Sequence, residues 1–176
     1  MMRREKGSKS MRTWLLRDDT GNALVEMAAS CVLLIIMFFG VFEFGLASYT
    51  YHYVSDAARE GARFAMVRGS TSCINTPNLG TCNATARQIS DYVTNLGYPG
   101  IDATANMTVT VSWLKATTTT GGTHTTTTWA SCTGACSNLP GNMVNVVVAY
   151  RFPLAIPFSS NRTINVTSTA AMVVAQ

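Results

Sequence analysis

Charge is scarce in this chain, and histidine scarcer. Lys, Arg, Asp and Glu together make up 12% of its 176 residues, about half the share usual in soluble proteins. Only His52 and His124 supply imidazole. That shortage removes most routes to catalysis. His52 stands among Tyr49, Tyr51 and Tyr53, and His124 lies in a threonine run. No G-x-S-x-G surrounds a serine, and Asp56, Glu60, Asp91 and Asp102 form no evident pair. The chain therefore reads as a non-enzyme with no cofactor and no metal. Nucleic acid is excluded by where the charge sits. The first 20 residues carry six basic groups against three acidic ones, a net of +3, and the remainder carries only +1. No basic stripe is left for a folded surface. Proline is missing from residues 22–68, so nothing there breaks a helix.

What the sequence does hold is a single long apolar run. Residues 22–42 read NALVEMAASCVLLIIMFFGVF. As a helix this stretch spans about 31 Å, close to the roughly 30 Å of a bilayer's hydrocarbon core. A secretory signal has a shorter apolar stretch of about 7–15 residues and then a cleavage site. Here the helical pattern continues, which implies a retained anchor. The basic residues before it place 1–21 in the cytoplasm and 43–176 outside. From Glu43 to Arg68, Asp56, Arg59, Glu60 and Arg63 are spaced for pairing along one side. Val54, Ala57, Ala58, Gly61, Ala62 and Ala65 form a narrow band of small residues. One helix over about 22–68 is predicted, ended by Gly69, Ser70 and Thr71.

Beyond it, Ile89, Tyr92, Val93 and Leu96 recur at helical spacing within 84–97, with Gly97 as the stop and Pro99-Gly100 as a turn. The period then changes to two. Met107, Val109, Val111 and Trp113 form one strand pattern, and Val144, Val146, Val148 and Tyr150 a second. Ile164 and Val166 open a third run, apolar from Ala170 to Ala175. Pro153 and Pro157 mark 152–161 as irregular or as an edge. Three strands with polar links suggest an antiparallel meander covered by one of the helices. Nine threonines within 117–128 cannot bury a core, so this segment reads as a flexible or extended hairpin tip.

Of five cysteines, Cys31 lies in the apolar run while Cys73, Cys82, Cys132 and Cys136 follow it. An even set on one side of a membrane suggests disulfides in an oxidising compartment. Pairing of neighbours, Cys73–Cys82 and Cys132–Cys136, is preferred. Cys132-x3-Cys136 alternatively reads as half a metal site, though no further His or Cys pair completes it. Four N-x-[ST] sequons begin at Asn83, Asn106, Asn161 and Asn165; in a chain this rich in Asn and Thr, chance accounts for them.

Glu26 is the most informative residue. A carboxylate inside an apolar helix costs roughly 2.5–3.5 kcal/mol on insertion scales. Either it reaches water at the interface, as Glu43 does at the other end, or it has a partner. Its setting is a basic leader, then Gly21-Asn22-Ala23-Leu24-Val25-Glu26. This resembles the processing site of type IV pilins, in which a prepilin peptidase cuts after the Gly and leaves Glu at position five of the mature helix. Ala57-Ala58-Arg59-Glu60-Gly61-Ala62-Arg63 resembles the signature of TadE-like proteins, minor pilins (pseudopilins) of tight-adherence (Flp) pili. Gly40, Glu43-Phe44-Gly45 and Val67-Arg68-Gly69 agree at the flanks, so the likeness covers about residues 17–69. Two features depart from the family: no Pro interrupts the apolar segment, with Val32 at about that place, and Met27 stands where an aromatic is common.

The resemblance implies a cut between Gly21 and Asn22 and a register role for Glu26. It also implies subunit packing through Ala57, Ala58, Arg59, Glu60, Gly61, Ala62 and Arg63. AAREGAR has a plainer reading too, as the exposed face of a long helix. The expected architecture is α+β: a leader at 1–21, a transmembrane and amphipathic helix at 22–69, and a head at 70–176 with a helix and a short antiparallel sheet. The implied location is the inner membrane with the head periplasmic, then the pilus or cell surface. The implied partners are other pilin subunits, the prepilin peptidase, the inner-membrane pilus assembly platform and membrane lipid. Two alternatives remain: a tip adhesin that binds through its threonine-rich loop, and a plain membrane-anchored periplasmic domain.

Overall fold

The computed structural model describes residues 19–121, 124–132, 138–154 and 162–175. The chain divides into two units at Phe44/Gly45, and helix α1 (Asp19–Met66) contributes to both.

In the first unit α1 is apolar on every side and fully open. Leu33, Leu34, Ile36 and Met37 are all at least 60% exposed. No soluble helix leaves such a surface bare, because each buried apolar side chain is worth about 1.5–3 kcal/mol. The helix is long and apolar enough to cross a membrane, with a mean hydropathy of 2.4 over its best 18-residue window. It takes in Asp19 to Gly21 as well, starting three residues ahead of the predicted Asn22, and it stops at Met66 rather than Arg68.

The second unit is an α+β head. From Gly45 onward α1 buries Thr50, Tyr53, Val54, Ala57, Ala58, Gly61, Ala62 and Ala65, a stripe at three- and four-residue spacing. Behind it come α2 (Ser72–Asn75), α3 (Ala86–Thr94) and α4 (Ala103–Asn106). Four strands follow: β1 (Met107–Gly121), β2 (His124–Ser131), β3 (Met143–Leu154) and β4 (Arg162–Val173). They form one sheet in the order β2-β1-β3-β4, antiparallel throughout. Strict alternation along β3 sends Val144, Val146, Val148, Tyr150 and Phe152 into the core. Trp113 pairs with Val144 and lies on the same face. Ile89 and Val93 of α3 complete this core.

Helix α3 owes its start to a capping box. The Thr85 hydroxyl accepts from the Gln88 N–H, and the Thr85 N–H donates to Gln88 Oε1 at 2.9 Å. Such a cap contributes about 1 kcal/mol. Beyond the helix, Gly97 adopts φ +59°. Residues 98–101 make a turn closed by Ile101 N–H to Tyr98 O, with Gly100 at φ +77° after Pro99, the type II pattern.

The sheet contains the predicted antiparallel meander as β1, β3 and β4 and adds a fourth strand, because the threonine-rich segment takes the extended form of hairpin tip and not the flexible one. Thr117 to Thr120 pair with Thr128 to Thr125, since β-branched threonine suits a pleated ribbon even where nothing is buried. β3 runs through Pro153, so of the two expectations for this stretch, an irregular connection or an edge, 152–154 take the edge. Pro153 lies past the end of β1 and has a neighbour only in β4, so no ladder bond is lost on its open side. The rest of that predicted connection, 155–161, lies outside the described residues. β4 is the third predicted run, continuous from Arg162 to Val173, and beyond it Ala175 N–H bonds to Met66 O at 3.0 Å.

The tightest point of the head is Gly61. A Cβ there would stand 2.6 Å from Val93 Cγ2 and 3.2 Å from Val146 Cγ1. Both neighbours are stiff at χ1 and fully buried. Gly61→Ala gains about 1 kcal/mol of helix propensity but meets overpacking of about 1–3 kcal/mol. The net effect expected is a fall in the head's Tm by several degrees, on the order of 5 °C. Gly45→Ala, with nothing within 4 Å of its Cβ, should leave Tm level or raise it. Thermal melts by circular dichroism check this, and equal melting of the two variants would contradict it.

Candidate assembly surface

The AAREGAR stretch is divided by helix geometry. Ala57, Ala58, Gly61 and Ala62 turn inward and are buried by the sheet and α3. Arg59, Glu60 and Arg63 turn outward. The small residues are thus used to pack the chain's own head, and the charged ones are left at its surface. Arg63 pairs with Glu60 at 3.0 Å across i,i+3, an exposed pair worth at most about 1 kcal/mol. Among the described residues Arg59 has no carboxylate within 4 Å.

Two clefts flank this stripe. Toward the end of α1, Phe64 stacks on Tyr92 with ring centroids 4.2 Å apart, and the Arg68 guanidinium lies 3.9 Å over Phe64. This cleft, with Met172 on its far wall, holds about 620 Å³. Nearer the apolar segment a second cleft of about 620 Å³ is lined by Tyr49, Tyr51, His52, Asp56, Arg59 and Tyr98. The tyrosines here are tied down. Tyr49 O–H donates to Pro99 O at 3.3 Å, Tyr53 O–H to Met107 Sδ, and Tyr98 O–H to Asp56 Oδ2. The Asp56 carboxylate holds the Tyr98 proton and pushes its pKa up to about 12. Burial, with Tyr150 and Tyr49 nearby, raises that of Tyr53.

The other expected site residues lie apart from these clefts. Gly21, Asn22 and Glu26 are on exposed turns of α1 in the first unit. Cys73 and Cys82 form a disulfide, closing a short loop worth about 2–3 kcal/mol in the chain-entropy account. Cys132 is also disulfide-bonded, so it offers no thiolate to a metal; its expected partner Cys136 lies outside the described residues. Cys31 is free and exposed.

One structural residue left no sequence signal. Asn138 Nδ2 reaches Arg68 O, Asn83 Oδ1 and Ala84 O within 3.1 Å, while its own O accepts from Ser70 N–H. It ties the exit of α1 to the approach to α3, three segments far apart in sequence. Asn83 beside it is left-handed at φ +52°, which Asn tolerates better than most residues.

Residues 21–63 match the model of a family described as TadE-like protein. The match takes in the exposed apolar half of α1 and the buried stripe as far as Arg63, and it associates the chain with tight-adherence pili. Neither a curated protein nor a solved structure matches the chain.

The Tyr98–Asp56 bond gives a pH signature. A raised folded pKa means this bond's stabilisation is complete below Tyr98's ordinary value near 10 and disappears as pH rises through about 12. Ultraviolet titration at alkaline pH should show a late tyrosine that is missing from Tyr98→Phe. If every tyrosine in that variant titrates as in the native chain, the bond is not as described.

Proposed function

Starting from a TadE-like segment at residues 21–63, we propose that the protein is a minor pilin of a tight-adherence pilus. In this reading a prepilin peptidase cuts between Gly21 and Asn22 in the inner membrane. The apolar half of α1 holds the chain there, basic end in the cytoplasm and head in the periplasm, until the assembly platform draws it into a filament or it primes one. The observation that carries this is the coincidence of the family match with a helix of two characters: bare and apolar before Phe44, covered by its own head after Gly45.

The chemistry of the anchor follows. The cut creates an ammonium group at Asn22, at the positive end of the helix dipole, where a cation is disfavoured by about 0.3–1 kcal/mol. Glu26 is one turn further on, on the same face of α1. Its carboxylate offsets that ammonium, on its own chain or on the next. Both groups gain from meeting in low dielectric, so the pair sets axial register. Arg59, Glu60 and Arg63 then select a neighbouring subunit by charge.

Intact mass or N-terminal sequencing of the mature protein is the direct test, with a start at Asn22 expected. A chain beginning at Met1 in piliated cells overturns the reading. Glu26→Ala should insert normally and fail to assemble, and normal piliation in that variant removes the register role.

A second reading, a tip adhesin, draws on the β1–β2 ribbon, whose Thr117–Thr120 and Thr125–Thr128 are exposed beside a 39%-exposed Trp129. Deleting 117–128 separates the two: intact pili that no longer adhere favour the adhesin, whereas lost pili favour assembly.

A further inference from the structure

From Lys115 onward the β1–β2 ribbon adds no residue to the head's own core. β3 begins opposite Leu114, so Lys115–Gly121 and their partners in β2 stand past the last three-stranded rung. A two-stranded ribbon alone is marginal in water, and this one has no apolar face. At the other end of the sheet, β4 pairs with β3 over twelve consecutive residues with no bulge. Among the described residues no strand covers its outer side. Neither edge carries the usual defences against pairing. β2 has no Lys, Arg, Asp, Glu or Pro, and β4 has only Arg162 at its start.

We propose that the ribbon is a strand-donating arm: β2 of one copy adds to the open edge of β4 in a second copy of this chain. Polarity selects this pairing over its rivals. With four antiparallel strands the two edge strands run in opposite directions. A copy related by translation therefore brings β2 antiparallel to β4, and every α1 keeps the same direction. Antiparallel pairing of β4 with β4 about a two-fold axis normal to the sheet would reverse the head-packed part of α1, Gly45–Met66, in one of the two copies. The match is also chemical. Both edges are neutral, rich in Thr, and recognise an uncharged extended strand through backbone hydrogen bonds. Because β2 lies beyond the level of β3, the second copy is shifted along the strands by about eight residues, roughly 27 Å. Such a head-to-tail contact does not close on itself, so it propagates.

This inference names the partner surface within the pilus-subunit reading and needs from that reading only a shared anchor direction. The test uses the full chain with Cys31→Ser in detergent or bilayer discs, without pili. Thr127→Cys on β2 and Thr167→Cys on β4, both on the sheet's outer face, are made singly and together, with same-face neighbouring positions scanned for register. Mild oxidation of the double variant should give a ladder of dimers, trimers and longer species. A mixture of the two single variants should stop at dimers, and each single variant alone should stay monomeric. Thr167→Lys with Thr169→Lys places charge on the β4 edge and should cut self-association on the order of tenfold with Tm unchanged. Crosslinking of Thr167→Cys with itself as readily as with Thr127→Cys overturns the proposal, as does the absence of any ladder across the scan. Since no filament is read out, a chain that never enters a pilus still gives the ladder, so failure here and failure of the pilus role are separable.

Discussion

The close approach of α1 to β3 and α3 is what the rest of the head depends on. It is possible only because the helix face is built from Ala57, Ala58, Gly61, Ala62 and Ala65, with no side chain at all at the centre. Val93 and Val146 fill the space a Cβ at Gly61 would take. Everything else is hung on that contact. α3 is capped so that Ile89 and Val93 face the helix, and β3 alternates so that Val144, Val146 and Val148 meet it from the sheet. Small residues carry little transfer free energy each. The aromatic groups at the two ends, Tyr53 with Tyr98 and Tyr150, and Phe64 with Tyr92, supply the larger areas.

That arrangement changes what the AAREGAR motif means. A band of small residues on a membrane-proximal helix invites the idea of close helix–helix packing. In this chain the band is occupied from within. The charges of the motif face outward, with Arg59 unpaired among the described carboxylates. One helix thus has two characters: a first half long and apolar enough to cross a membrane, and a second half covered by its own head. The change of partner falls near Phe44, where the apolar run gives way to residues at three- and four-residue spacing.

Much of this could be read from the sequence because it is written in period. The anchor follows from an unbroken apolar run, the strand cores from alternation at 107–113 and 144–150, and the Cys73–Cys82 bridge from proximity in the chain. Gly97 and Pro99-Gly100 announced the turns that they make. The threonine segment was harder, because its lack of apolar residues argued against any packed structure. Its β-branched side chains decided the backbone instead, and pairing with β1 completed it. The Thr85–Gln88 capping box is written in the sequence only as a T-x-x-Q spacing. Asn138 had no local signature at all, since its three acceptors come together only when the loops meet. Burial of the small band is likewise tertiary: the same residues at the same spacing suit an external partner or an internal one.

The central claim is that residues 53–65 of α1 belong to the head's core and not to a free surface. Native-state hydrogen exchange on the full chain in detergent tests it directly. The amides of 57–65 should exchange only through the same slow opening that releases β1 at 107–114 and β3 at 143–150. If those helical amides exchange orders of magnitude faster while the strands stay protected, the helix is not packed into the head and the account is wrong.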